Sequence, residues 1–264
     1  CRKSGRLPLD IVAADISREF ANLEQIDTQG PELEAQAIIE DLGKAHLRFK
    51  PISFWDDQDY YIQMLVEKID LKSLFRPVCE EFAIPLANTR GWSDINGRAK
   101  MMERFKHWEA RGKTCVLLYC GDHDPAGLRI SDFLRSNMAD LSDAVGWRPD
   151  KLIVDRFGLN HDFIERHGLT WIDNLETGSG RRLDDPRHPD HDKPYVQDYI
   201  RRFGARKVEA NALVVRPDAG RDICRQAILK YLPATAPADY ADRLKPHQDA
   251  VEQETRRILR EVLS

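Results

Sequence analysis

Thr114–Arg129 reads TCVLLYCGDHDPAGLR, an apolar run that stops abruptly at two aspartates one residue apart and is followed by Pro125, Ala126 and Gly127. A short and almost wholly apolar run is what a strand covered on both faces of a parallel sheet requires. Proline and small residues directly after a polar residue mark a helix start. Asp122 and Asp124 are therefore expected at the carboxyl end of a central strand, where open α/β sheets bind their ligands. Alternate residues of an extended segment point the same way, so both carboxylates could face one cation. Hard oxygen donors at such an edge suit Mg²⁺, which keeps positions open for phosphate and water. The plainer alternative stays open for the triplet alone, with Asp124 capping the helix that starts at Pro125 and Asp122 a solvated loop acid.

A second acid shifts that balance. Tyr60–Val66 (YYIQMLV) is rich in β-formers and ends in Glu67. Between the two acidic strand ends the periodicity predicts a helix near Leu71–Glu81, a strand near Ile84–Asn88 and a helix near Asn96–Arg111. That order, βαβαβ, builds a parallel sheet through right-handed crossovers. A further strand is expected at Lys151–Val154, and another at Val208–Val215.

Glu67 after one strand and Asp122-x-Asp124-x-x-Gly127 after the third resemble the Toprim domain, which is shared by type IA and type II topoisomerases, bacterial primases, overcoming-lysogenization-defect nucleases and the topoisomerase VI A subunit. The wording Asp-x-Asp-Pro-x-Gly is most similar to the topoisomerase VI A and meiotic break-forming branch. Leu159-Asn160-His161-Asp162-Phe163-Ile164 resembles that branch's segment after its fourth strand, and Phe203-Gly204 through Glu209–Leu213 resembles a later strand. The likeness covers about Tyr60 to Leu232. It implies a Toprim-type, Rossmann-like parallel sheet flanked by helices, with Glu67, Asp122 and Asp124 as catalytic and metal-holding residues for Mg²⁺, or Mn²⁺ in its place. It also implies a role for Glu67 in proton transfer.

The same branch cuts DNA with a tyrosine in a winged-helix domain, well upstream of its glutamate. Here the tyrosines are Tyr60, Tyr61, Tyr119, Tyr195, Tyr199, Tyr231 and Tyr240, and the first two fall inside the strand that leads to Glu67. Side chains in a strand alternate in and out and pack, which suits a nucleophile poorly. Hydrolysis by water is therefore expected rather than tyrosyl transfer. The chain opens with Cys1 rather than Met, which leaves open a DNA-break-forming subunit whose tyrosine lies in an upstream segment. A third reading is a non-catalytic DNA-binding or complex-assembly module of the same shape.

Composition bounds these readings. In 264 residues, 32% are charged and the net charge is −4. Nucleic acid must then be met by local basic patches. No apolar run approaches the length of a membrane span, no signal peptide is visible, and five cysteines (Cys1, Cys79, Cys115, Cys120, Cys224) show no zinc spacing. Buried free thiols in a cytoplasmic protein, nucleoid-associated if prokaryotic, are the expectation.

Three basic patches stand out: Arg2, Lys3 and Arg6; then Arg98, Lys100, Arg104 and Lys106; then Arg181, Arg182, Arg187 and Lys193 with Arg201, Arg202, Arg206 and Lys207. Each is an ordinary solvated face or a phosphate contact, and Arg98, Lys100, Arg181, Arg182 and Lys193 are the nucleic-acid candidates. The last group flanks an irregular tract, 177–194, whose His188 and His191 read as solvated loop residues more readily than as metal ligands. Accessory candidates are Lys68 (on a phosphate, or paired with Asp70 or Glu67), Arg90 at the second strand's end, Asp155 at the end of the fourth, and Glu209. His123, between the aspartates, is expected to point the other way and to pack or hydrogen-bond.

The expected organisation is an N-terminal helical or partial winged-helix segment (1–55, drawing on Leu7–Phe20 and Glu32–Leu47), a Toprim-like α/β domain (56–232) and a C-terminal helical extension (233–264) in which 237–263 reads as a helix pair. The expected partner is nucleic acid, DNA in the first instance, with a homodimer or a partner subunit as the protein partner.

Overall fold

The computed structural model describes residues 30–89, 94–176 and 180–263. The chain divides into two units, one of residues 58–232 and one in which 1–57 and 233–264 are grouped. The larger unit is built on a four-stranded parallel sheet of β1 (Tyr60–Val66), β2 (Leu86–Asn88), β3 (Thr114–Cys120) and β4 (Ile153–Phe157), in the order β2-β1-β3-β4. In β1 and β3 every residue after the first is buried, apart from the rule that apolar side chains fill such strands: Gln63 lies in the middle of β1 with no exposure. Its amide is satisfied on both sides. Nε2 donates to the Met101 carbonyl at 3.0 Å, and Oε1 accepts from Arg104 Nε at 2.9 Å.

From β1 the chain runs through α2 (Ile69–Glu81) to β2, then through α3 (Ile95–Glu109) back across to β3. Successive right-handed crossovers in opposite directions place α2 and α3 on opposite faces. Side chains agree: Gln63 of β1 reaches α3, while its neighbour Met64 meets Cys79 of α2 at 3.6 Å and Cys224 of α8 (Pro217–Leu229) at 3.9 Å. Asp94 caps α3 through the amides of Asn96 and Gly97, at 3.2 and 3.0 Å. The direction of winding reverses between β1 and β3, so the crevice at their carboxyl ends is the topological switch point.

Beyond β3 come α4 (Ile130–Ala139), a short α5 (Ser142–Val145), β4, α6 (His161–His167) and α7 (Pro194–Phe203) before α8. Gly146 and Gly168 close α5 and α6 in the left-handed region, at φ 66° and 57°. Cys79, Cys115, Cys120 and Cys224 are buried free thiols, as the lack of any zinc spacing led us to expect. In the smaller unit α1 (Pro31–Lys44) is followed by a 3-10 turn, and α9 (Ala236–Leu263) continues through Pro246. There Phe54 packs edge-on against Tyr240, and Gln248 donates to the Leu47 carbonyl at 2.9 Å.

Several boundaries differ from expectation. The fourth strand runs over Ile153–Phe157 rather than Lys151–Val154, because Pro149–Lys151 forms a 3-10 turn first. Val208–Val215 is no strand: Val208 makes a single antiparallel bridge to His123, and Ala210–Val215 coils into a 3-10 helix. Residues 237–263 form one continuous helix rather than a pair. Arg2, Lys3, Arg6, Leu7–Phe20 and Arg90 lie outside the described residues.

The Gln63–Arg104 contact carries a measurable consequence. Arg104→Ala should destabilise the protein by about 1–3 kcal/mol in urea unfolding, because the Gln63 oxygen is left buried without a partner. Gln63→Met combined with Arg104→Ala should cost less than the two single changes added together. Strict additivity would show that the pair is not coupled.

Candidate functional site

The backbone pairing of β1 and β3 does not stop at Val66 and Cys120. Glu67 N donates to the Cys120 carbonyl at 2.9 Å, so Glu67 emerges beside the loop that carries the aspartates. Its carboxylate then turns across the strand ends. Oε2 accepts the backbone N–H of Asp122 at 2.8 Å and lies 3.3 Å from the Tyr119 hydroxyl. Gly121 sits between them, and a Cβ there would fall within 2.6 Å of Glu67 Oε2 and into the Tyr119 ring. Only glycine permits this approach.

Asp122 is buried. One carboxylate oxygen accepts the backbone N–H of Ala210 at 2.7 Å, and the other faces Lys68 Nζ at 3.1 Å. The same ammonium is 3.6 Å from Glu67 Oε1, so one lysine stands between two carboxylates. Asp124 is held differently, its Oδ1 accepting Gly127 N–H at 2.5 Å within its own turn. The helix-start alternative is thus realised as a short 3-10 turn, Gly127–Arg129, leading into α4. A Cβ on Gly127 would run into the Asp122 carbonyl, which keeps this turn tight.

Arg156 of β4 fixes the loop from the other side. Its guanidinium donates to the carbonyls of Gly127 (2.9 Å) and Asp122 (3.1 Å) and to Asn160 Oδ1 (2.6 Å). His123 points away from the acids, as expected. Its main chain bridges to Val208, and its ring packs edge-on against Trp171 and Phe203 with Nδ1 3.0 Å from the Tyr199 hydroxyl. That hydroxyl also lies 2.8 Å from the His123 carbonyl, to which it can donate its one proton while Nδ1–H donates to it.

Burial raises the Asp122 pKa first, and the Glu67 charge raises it further, against the Ala210 N–H and Lys68. Asp124 is likewise pushed up by burial, partly offset by Gly127 N–H. Loss of water is the larger cause of both shifts, ahead of repulsion between the acids. Burial works against the Lys68 charge, but Asp122, Glu67 and Glu209 outweigh it and the ammonium is stabilised.

Of the residues singled out from sequence, the structure brings Glu67, Asp122 and Lys68 together, while Asp124 bonds inside its turn. Among the described residues no group of three or more His, Cys, Asp or Glu side chains is arranged to hold a metal ion. Glu209 is near, pairing with Lys207 at 3.1 Å one residue from Ala210. Asp155 is a correction. It lies in mid-strand opposite Leu118, not at the strand end, and its carboxylate is taken by Lys230 (3.0 Å) and the Tyr231 hydroxyl (2.9 Å).

Several of the basic candidates are occupied locally. Arg98 donates to the Asn137 carbonyl at 3.3 Å, Arg182 pairs with Asp184 at 2.7 Å and Lys193 with Asp190 at 2.6 Å. Lys100 and Arg181 are exposed. His188 accepts the Asp190 N–H at 3.0 Å, and His191 contacts the Leu183 carbonyl at 2.9 Å, which makes them organisers of their loop. Sequence reading missed Arg156 and Tyr119. The available signal was an arginine inside an otherwise strand-like IVDRF, whose neighbour strand ends in the acids.

No family model, no curated protein and no solved structure matches this chain.

His123 gives a pH prediction. Burial, with Arg156 adding to it, lowers its pKa to about 4, against an ordinary value near 6.5. The unfolded chain therefore takes up the proton well before the folded one. This contribution to stability, up to about 3 kcal/mol, is full above about pH 6.5 and is lost as pH falls towards 4. The raised carboxylate pKa values act in the opposite sense, so the comparison must be with His123→Phe. Melting curves of that variant should fall less steeply between pH 6.5 and 4 than those of the wild type, and parallel curves would refute the assignment.

Proposed function

We propose that the acid end of this sheet carries out divalent-cation-dependent hydrolysis of a nucleic-acid phosphodiester, with DNA as the substrate class, in the manner its Toprim resemblance implies. The observation that carries the reading is the pair Glu67 and Asp122, delivered from adjacent central strands to the switch point and already gathered round a positive charge, the Lys68 ammonium. The donors suit Mg²⁺ or Mn²⁺ in kind, being hard carboxylate oxygens, and the Lys68 ammonium between Glu67 and Asp122 marks where the pair draws positive charge. Glu67 and Asp122, with Asp124 beside them, would hold it. When bound, such an ion supplies charge stabilisation for the pentacovalent phosphorus and a more acidic water.

The chain's own groups perform the rest. Asp122 N–H and the Tyr119 hydroxyl fix the orientation of Glu67 through Oε2, which leaves Oε1, 3.6 Å from Lys68 Nζ, as the oxygen to accept a proton from an attacking water. Lys68, one-third exposed, is placed to meet a phosphate oxygen. Arg156 keeps the Asp122–Gly127 backbone in one shape.

The described tyrosines favour water over tyrosyl attack. Tyr61 is buried against Phe105 and Trp108, and Tyr60 packs against Tyr231. The Tyr119 hydroxyl does reach Glu67, but burial raises its pKa far from that of a ready nucleophile. A non-catalytic DNA-binding or assembly module is the second reading. It is favoured by the same Lys68, which already neutralises the acids.

Incubation with plasmid and with single-stranded DNA in Mg²⁺ or Mn²⁺ decides between them. Cleavage should be abolished in Glu67→Ala and Asp122→Ala and retained in Tyr60→Phe/Tyr61→Phe, since losing a group that stabilises transition-state charge costs several kcal/mol. Protein–DNA adducts that survive denaturation would overturn the hydrolytic reading. Binding without cleavage under either ion would favour the module.

A further inference from the structure

We propose, resting on the nucleic-acid reading above, that the pocket next to the acid site receives one unpaired base of a single-stranded nucleic acid whose backbone runs past the acids. The pocket measures about 550 Å³, a size that suits one such group. Its walls come from residues 168–172, after α6, and from the 3-10 helix Ala210–Val215. Reciprocal backbone bonds between Ile172 and Lys207, 2.8 and 2.9 Å long, tie the two stretches together. The pocket adjoins the acids through one piece of backbone. Glu209 lines it, and the next residue, Ala210, gives its N–H to Asp122 at 2.7 Å.

The lining matches the chemistry of a base, which is apolar on its two faces and hydrogen-bonding round its edge. Leu169 is buried in the wall, while Ile172 and Val215 stand 40% and 75% exposed, apolar side chains left in water beside a concave surface. Asn211 lines the same space, and its amide can both donate to and accept from a base edge. Thr170 adds a hydroxyl, and Arg216 a cation for the phosphate of a neighbouring nucleotide. Among the described residues the side chains of Thr170, Asn211 and Arg216 make no hydrogen bond or ion pair, so their polar groups are open to a guest. Glu209 already pairs with Lys207 at 3.1 Å, and a carboxylate at the wall favours a neutral guest over an anionic one. In a duplex the edge of a base is taken by its partner and its faces by the stack, so the guest is an unpaired base.

Fluorescence anisotropy in EDTA, where no metal-dependent cutting can occur, tests this with a labelled oligothymidylate and an abasic strand of equal length and charge. Wild type should bind the base-bearing strand about tenfold more tightly, the order expected of one stacked base. Ile172→Ser/Val215→Ser, which strips the apolar wall, and Asn211→Ala, which removes the edge contact, should each narrow that gap and leave the abasic affinity unchanged. All three positions are exposed, and circular-dichroism melting of each variant checks that it is folded. Equal affinity of the wild type for the two strands, or a gap unchanged in both variants, would overturn the proposal while leaving nucleic-acid binding in place. No binding of either strand by the wild type would remove the nucleic-acid reading as well.

Discussion

The site depends on the register between β1 and β3. Each residue of Tyr60–Val66 lies opposite its partner in Thr114–Cys120, and one further backbone bond, from Glu67 to Cys120, carries the pairing past the sheet's edge. A shift of one residue would turn Glu67 to the other face and bury the wrong set of side chains. Because Val66 and Cys120 end together, a side chain from one strand reaches the backbone N–H of a loop on the other. The carboxylate of Glu67 thus does structural duty before any chemistry: it accepts a hydrogen bond that would otherwise be left unmade at the end of a buried strand.

The same geometry explains which parts were legible in the sequence. Apolar runs ending in acids reveal β1, β3 and the location of Glu67 and Asp122, because full burial on both faces leaves little freedom of composition. The fourth strand was placed too early, since Pro149 and the turn it starts consume Lys151. That displacement moved Asp155 from an expected strand end to a mid-strand pair with Lys230 and Tyr231. Val208–Val215 has the apolar content of a strand, but only Val208 finds a ladder partner. The rest coils so that Ala210 N–H can reach Asp122. Propensity is local, whereas this bond joins residues far apart in the chain.

Asp124 shows the limit from another side. The spacing Asp-x-Asp does put two acids on one side of an extended segment, but the segment is not extended throughout. Gly127 draws the second acid into a turn, so the two carboxylates meet different partners. The plainer alternative is realised for Asp124, which bonds within its turn, whereas Asp122 is buried rather than a solvated loop acid. Arg156 and Tyr119 were invisible for a different reason. Each sits in a strand whose pattern reads as packing, and what matters is where a long side chain ends, not where it begins.

Arg156 also sets a tempo. By bonding the carbonyls at both ends of the Asp122–Gly127 loop from a neighbouring strand, it takes the backbone out of play as a moving part. What remains adjustable at the acid pair is the flexible stem of one partly exposed lysine. Rotamer changes of such side chains run on picosecond to nanosecond scales, whereas loop rearrangements take nanoseconds to microseconds or longer. A change at the acid pair is therefore a side-chain event, with no wait for the backbone to rearrange.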